Sequence, residues 1–201
     1  MSLPSPASAR RSPMTMLDFD AAGAWEGVFH GAPSGIDAAV AESGGCIQYS
    51  RSEGIVKVAL VRPLPLVIAI AGPPASTKLM VGEVARLRER RPVIVEKAFD
   101  GIASLVRNAR LCLEAGDLPG LGKLMDLNQM LLAGLMVSTE GIERACEVAR
   151  RAGALGAKLT GAGGGGVVVA LADLDPDPIV SAFRQADIEC FSATVSPWEA
   201  T

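Results

Sequence analysis

Aromatic residues are scarce in this chain: two Trp, one Tyr and five Phe make up 4% of 201 residues. That leaves no platform on which bases could stack. Basic tracts are also absent. Lys and Arg total 19 against 22 Asp and Glu, and the formal net charge is -3, so the chain carries no footprint for a nucleic-acid backbone. Four cysteines, Cys46, Cys112, Cys146 and Cys190, are widely spaced and form no CxxC pair. Such spacing favours reduced, partly buried thiols over zinc ligands or a disulfide framework, and no metal ligands are identified in this chain. A cytoplasmic location is the matching expectation. The apolar runs Leu64 to Ala71 and Val167 to Ala172 are too short to span a bilayer, so no membrane segment is expected. The first residues hold prolines and then Arg10-Arg11 without an apolar core, which does not make a secretory signal.

What is abundant is glycine, 22 residues, and hydrophobic residues, 49%. Gly161 to Gly166 contains five glycines and one alanine, Ala162, so its backbone can take positive φ or approach another segment without a β-carbon clash. Gly161, Gly163 and Gly166 satisfy G-x-G-x-x-G, but a dinucleotide fingerprint follows a strand and opens a helix. Here a helix-like stretch lies upstream, with a short strand over Ala157 to Thr160, and the glycines open the strand Val167 to Leu171. No Gly-Lys-Ser or Gly-Lys-Thr closes the run, so it is not a Walker A loop. The loop is suited to pack against a ligand's phosphates or against a neighbouring backbone.

In chain order, residues 1–14 read as a flexible tail. Leu17, Ala21, Ala24, Trp25 and Val28 fall at helical spacing over Met16 to Phe29. Then comes His30-Gly-Ala-Pro-Ser-Gly-Ile-Asp-Ala-Ala-Val40, in which Ser34 can cap a short helix carrying Asp37 in its first turn. A carboxylate there, held ionised by the helix terminus, suits a positioned base or ion partner; a structural cap is the alternative. Cys46 to Ser50 and Val56 to Val61 read as a hairpin about Gly54, and Leu66 to Ala71 as a central strand. Ser76 or Thr77 can cap a helix over Lys78 to Arg88, a start that suits either an anionic ligand or solvated capping. Helices are expected over Val93 to Ala115, Leu118 to Met136 and Thr139 to Ala152. In the second, Leu121, Leu124, Met125, Asn128 and Leu132 share a stripe. Asn128 in that stripe calls for a buried amide bond, to a loop or between helices. A helix over Asp177 to Ala186 and a strand over Glu189 to Val195 complete an α+β fold, with helices on one face of a mainly antiparallel sheet.

Four segments then carry a resemblance: His30 to Val40, Ser76-Thr77-Lys78, Asp126-Leu-Asn-Gln129 and Lys158-Leu-Thr-Gly-Ala-Gly-Gly-Gly-Gly166. In order and approximate spacing they are similar to mevalonate kinases, of the superfamily of galactokinase, homoserine kinase, mevalonate kinase and phosphomevalonate kinase. The resemblance implies a ferredoxin-like C-terminal domain over residues 72–201, and a remnant of an N-terminal kinase domain over residues 15–71. It implies ATP and Mg2+ as cofactors, and mevalonate or a similar small alcohol as substrate, in isoprenoid biosynthesis. By the same resemblance, Asp37 accepts or orients the hydroxyl proton, Ser34, Gly35 and Ile36 shape the substrate side, and Thr77 lies near the reacting centre. Lys158, Thr160, Gly161, Ala162, Gly163, Gly164, Gly165 and Gly166 support the phosphate loop. Ala38 stands where the family commonly has asparagine. The family's Pro-Gly-Lys strand and Gly-Leu-Gly-Ser-Ser-Ala loop are not found in this sequence. The expectation is therefore a kinase-like chain that is weak or inactive alone and needs a missing or separately encoded N-terminal half; the alternative is a non-catalytic ligand-binding or oligomeric interaction protein. An exposed former domain interface with open sheet edges implies a homo-oligomer or an obligate partner.

Overall fold

The computed structural model describes residues 45–50 and 53–197. The chain divides into units at residues 1–44 and 45–201, and everything described lies in the second. The helix over Met16 to Phe29 and the site residues Ser34, Gly35, Ile36 and Asp37 fall outside the described residues. β1 (Ile47–Ser50) and β2 (Gly54–Lys57) form an antiparallel hairpin. β3 (Leu64–Gly72) follows, then α1 (Thr77–Arg90), α2 (Pro92–Ala115), α3 (Leu118–Gly134) and α4 (Glu140–Arg151). The remainder is β4 (Gly156–Thr160), β5 (Gly166–Leu171), α5 (Asp177–Gln185) and β6 (Cys190–Val195).

Local chemistry sets most of these limits. Ser76 caps α1 by accepting from the Leu79 amide at 3.2 Å, and Asp117 caps α3 by accepting from the Gly120 amide at 2.8 Å. α2 starts on Pro92 and ends at Gly116, whose φ of 71° gives the left-handed turn that stops a helix. α4 carries Glu140 and Glu143 in its first turn and Arg150 and Arg151 in its last, the favourable sense for the helix dipole.

The main sheet has the order β4-β5-β3-β6, with every pairing antiparallel. Two strands central, their neighbours outside, and helices in both β3-to-β4 and β5-to-β6 connections make this a ferredoxin-like α+β layer, as expected. Alternation along the strands divides the core. Val67 and Ala69 of β3, Val168 and Ala170 of β5, and Ala157 and Leu159 of β4 pack on Ile142, Ala145 and Cys146 of α4 and on Ile179, Val180 and Phe183 of α5. On the opposite face Leu64, Leu66 and Leu171 pack on Leu118 and Leu121 of α3. Helices therefore lie on both faces, not on one.

Two further expectations change. A boundary at 71/72 would cut through β3, which is hydrogen-bonded to both β5 and β6 and belongs with the helices after it. The glycine run joins two strands, β4 and β5, in an antiparallel hairpin, and is not a helix-to-strand loop. The dinucleotide reading fails on this context as well, because a strand, not a helix, follows the glycines. The four cysteines are free; Cys146 is buried, and burial pushes its thiol up to about 12. Among the described residues no helix is long and apolar enough to cross a membrane.

Candidate functional site

The glycine hairpin and the segment after β3 meet at one end of the sheet, because Gly72 pairs with Gly166. There the loop is pressed onto the protein's own backbone. The Gly164 amide donates to the Val137 carbonyl at 2.7 Å. A β-carbon on Gly163 would overlap that same carbonyl, and one on Gly165 would overlap the carbonyl of Pro73. The sequence pattern left open whether the glycines served a ligand or a neighbouring backbone; at Gly163 and Gly165 the neighbour is backbone. Gly161 differs: among the described residues nothing lies within 4 Å of where its β-carbon would stand. Thr77 and Lys78 are exposed in the first turn of α1, directly after the segment that Gly165 touches, and Thr160 is exposed where β4 enters the loop.

β4 is an edge strand, yet four of its outward-facing backbone groups are hydrogen-bonded to side chains. The Ala157 amide donates to Asp126 Oδ1 at 3.0 Å, and the Ala157 carbonyl accepts from the Arg150 guanidinium at 2.9 Å. The Leu159 amide donates to Gln129 Oε1 at 2.8 Å, and the Leu159 carbonyl accepts from Lys158 Nζ at 2.6 Å. Asp126 and Gln129, three apart on one face of α3, thus stand in for a neighbouring strand. The expected open edge is closed here by side chains. Arg150 also pairs with Asp126 at 2.7 Å, tying α4 to α3.

Gln129 is 2% exposed and is the hub of this arrangement. Its Nε2 donates to Ser138 Oγ at 3.0 Å and to Glu143 Oε1 at 2.9 Å, while its Oε1 receives the Leu159 amide. Ser138 adjoins Val137, whose carbonyl holds Gly164, so one amide links α3, α4, β4 and the glycine loop. The buried amide bond expected of Asn128 is made by Gln129. On the 3.6-residue period both residues lie near the apolar stripe, and only the packed orientation of α3 decides between them. Gln129→Leu keeps the shape but leaves the Leu159 amide without its acceptor. It is expected to destabilise the fold by about 2–3 kcal/mol in urea denaturation, with faster hydrogen exchange at Leu159.

Lys158 extends from β4 into a cavity of about 230 Å³ between α2 and α3. Burial holds its amine below the usual lysine range. Among the described residues no group of three His, Cys, Asp or Glu side chains could hold a metal ion. The structure therefore gathers Thr77, Thr160 and Gly161–Gly166 at one end of the sheet, and sets Lys158 behind them.

Residues 109–189, from late α2 to just before β6, match the family described as GHMP kinases C terminal. These residues are a GHMP kinase C-terminal domain. Around this GHMP kinase domain the likeness runs further. The mevalonate kinase of Thermococcus gammatolerans is 40% identical over 161 residues, 78% of this chain and 48% of that protein. The mevalonate kinase of Pyrococcus horikoshii is 40% identical over 147 residues, 71% of this chain and 43% of that one. The chain thus spans about half the length of the curated relatives it matches. Among solved structures, L. major mevalonate kinase in complex with R-mevalonate superposes with a TM-score of 0.82 at 37% identity, covering 87% of this chain and 56% of that one. Lactococcus lactis galactokinase, at 19% identity and a TM-score of 0.60 over 86% of this chain and 57% of that one, shares the fold.

Proposed function

We propose that this chain forms the C-terminal part of a mevalonate kinase-like enzyme, phosphorylating the hydroxyl of mevalonate or a similar small alcohol with ATP in isoprenoid biosynthesis, in the cytoplasm. The observation that carries the proposal is the 37% identity and 0.82 TM-score to a mevalonate kinase that holds R-mevalonate. In this reading Asp37 accepts or orients the proton of the attacking hydroxyl, and Ser34, Gly35 and Ile36 shape the substrate side. Thr77 borders the reacting centre, and the Lys158–Gly166 hairpin buttresses it. Phosphoryl transfer depends on positioning and charge stabilisation, so a rigidly seated wall has direct catalytic value.

The described residues do not fit ATP with its metal. They offer no cluster of acidic ligands, the Gly164 amide is already bonded to the Val137 carbonyl, and Gly163 and Gly165 are pressed against backbone. Nucleotide and metal binding are therefore assigned to further sequence carrying the Pro-Gly-Lys strand and the Gly-Leu-Gly-Ser-Ser-Ala loop, on this polypeptide or on another. The purified 201-residue chain is expected to release no appreciable ADP from ATP, Mg2+ and mevalonate, and co-expression with such a segment is expected to give turnover. Ordinary kinase turnover by the chain alone, about 1–100 s⁻¹, would overturn the assignment of the phosphate site elsewhere. No turnover with the segment supplied would count against the kinase reading itself.

A second reading, a non-catalytic interaction protein, is favoured by Ile70 and Phe191, 44% and 57% exposed on the same face of the sheet. Light scattering separates the two: a stable homo-oligomer of the chain that binds no kinase segment supports the second, and a monomer that binds one supports the first.

A further inference from the structure

The cavity between α2 and α3 has walls that are almost wholly apolar, among them Ile102, Val106, Leu124 and Met125, and its two polar members are Asn128 and Lys158. Lys158 is anomalous in such a place. An ammonium taken out of water is costly unless a counter-charge meets it, yet among the described residues no carboxylate forms an ion pair with Lys158. Among the described residues its ammonium hydrogen-bonds to the Leu159 carbonyl alone, which leaves two of its three N–H donors for another acceptor. The lysine cannot swing freely to solvent without giving up that bond and reopening the edge of β4.

We propose that this cavity binds an aliphatic monocarboxylate, its short chain lying between α2 and α3 and its carboxylate against Lys158 and the Asn128 amide. The volume of about 230 Å³ is of the size that a short aliphatic chain fills. Apolar walls with a few convergent polar groups are the ordinary make-up of a small-molecule site. A single cation sets the charge. A phosphate monoester carries nearly two negative charges, and its second charge would face Leu124 and Met125 unmatched. Burial, which lowers the basicity of the amine, is reversed by a bound anion, so the ligand and the lysine's charge stabilise one another.

The cavity shares Lys158 with the hairpin that the kinase reading uses, and its occupancy is tested without ATP so that the two stand or fall separately. Calorimetry on the full chain near neutral pH would use octanoate, octan-1-ol and octyl phosphate as probes, on the wild type and on two variants. Lys158→Met removes the cation, and Val106→Trp fills the pocket from a residue that is 45% exposed at its wall. Saturable one-to-one binding of octanoate is expected, at least tenfold weaker in each variant, with octan-1-ol at least tenfold weaker than octanoate on the wild type. Should Lys158→Met not fold, the Val106→Trp and octan-1-ol arms still decide. Absence of saturable octanoate binding overturns the proposal, as does equal binding of octan-1-ol or equal binding by a folded variant. Octyl phosphate binding as tightly as octanoate overturns the assignment of a monocarboxylate.

Discussion

Gly165→Ala is expected to lower the stability of the chain by about 4 kcal/mol. Two costs combine at that position. The backbone φ of 124° lies where residues with a β-carbon are strained, for about 1–3 kcal/mol. The new methyl would also overlap the Pro73 carbonyl, so the loop and the segment entering α1 must part, a further cost of about 1–3 kcal/mol. Neither neighbour yields easily. Gly166 is fixed by its pairing with Gly72, and Gly164 by its bond to Val137. Gly161→Ala supplies the contrast: φ is 81°, and no described residue lies within 4 Å of the new methyl, so the expected cost is strain, about 1–2 kcal/mol. Thermal melts of both variants read the difference, with Gly165→Ala falling by roughly 10 °C and Gly161→Ala by much less. Equal shifts would show that φ strain, and not the seating of the loop on Pro73, sets the cost.

The largest expected effect on activity belongs to Asp37→Ala. In the reconstituted enzyme it should lower kcat by about 10²–10⁴. The physical reason is that the attacking hydroxyl must be held in line and relieved of its proton, and a methyl group does neither. KM for mevalonate should change far less than kcat, because Asp37 acts on the proton in flight more than on the resting alcohol. Steady-state kinetics on the wild type and on Asp37→Ala, each paired with the same N-terminal segment, check this. Turnover independent of Asp37 would remove it from the catalytic role while leaving the fold assignment untouched.

Much of the architecture was legible from periodicity. The short apolar, β-branched runs Leu66–Ala71 and Val167–Leu171 mark the strands found at Leu64–Gly72 and Gly166–Leu171, and Ser76 marks the helix start that it caps. Less legible were features that depend on which elements become neighbours. The stripe on α3 drew attention to Asn128, whereas Gln129 is the buried amide, because a helix wheel gives the apolar side but not the angle at which it meets a strand. Asp126 and Gln129 stood in a motif of the resembling family, but their work as a substitute strand for β4 could be known only once β4 lay at the sheet edge. Ser34 to Asp37 remain an expectation from motif resemblance.

The chain's residues by themselves determined where strands and helices run, that the fold is α+β, and that the Gly161–Gly166 turn required glycine, since these follow from local dihedral preference and the period of apolar side chains. Tertiary structure alone decided that β3 sits in the middle of the sheet, that helices cover both faces, and that Gly163 and Gly165 give way to backbone. It also turned Lys158 inward to an apolar cavity. Each of those depends on contacts between residues far apart in the chain, which local preference does not encode and packing does.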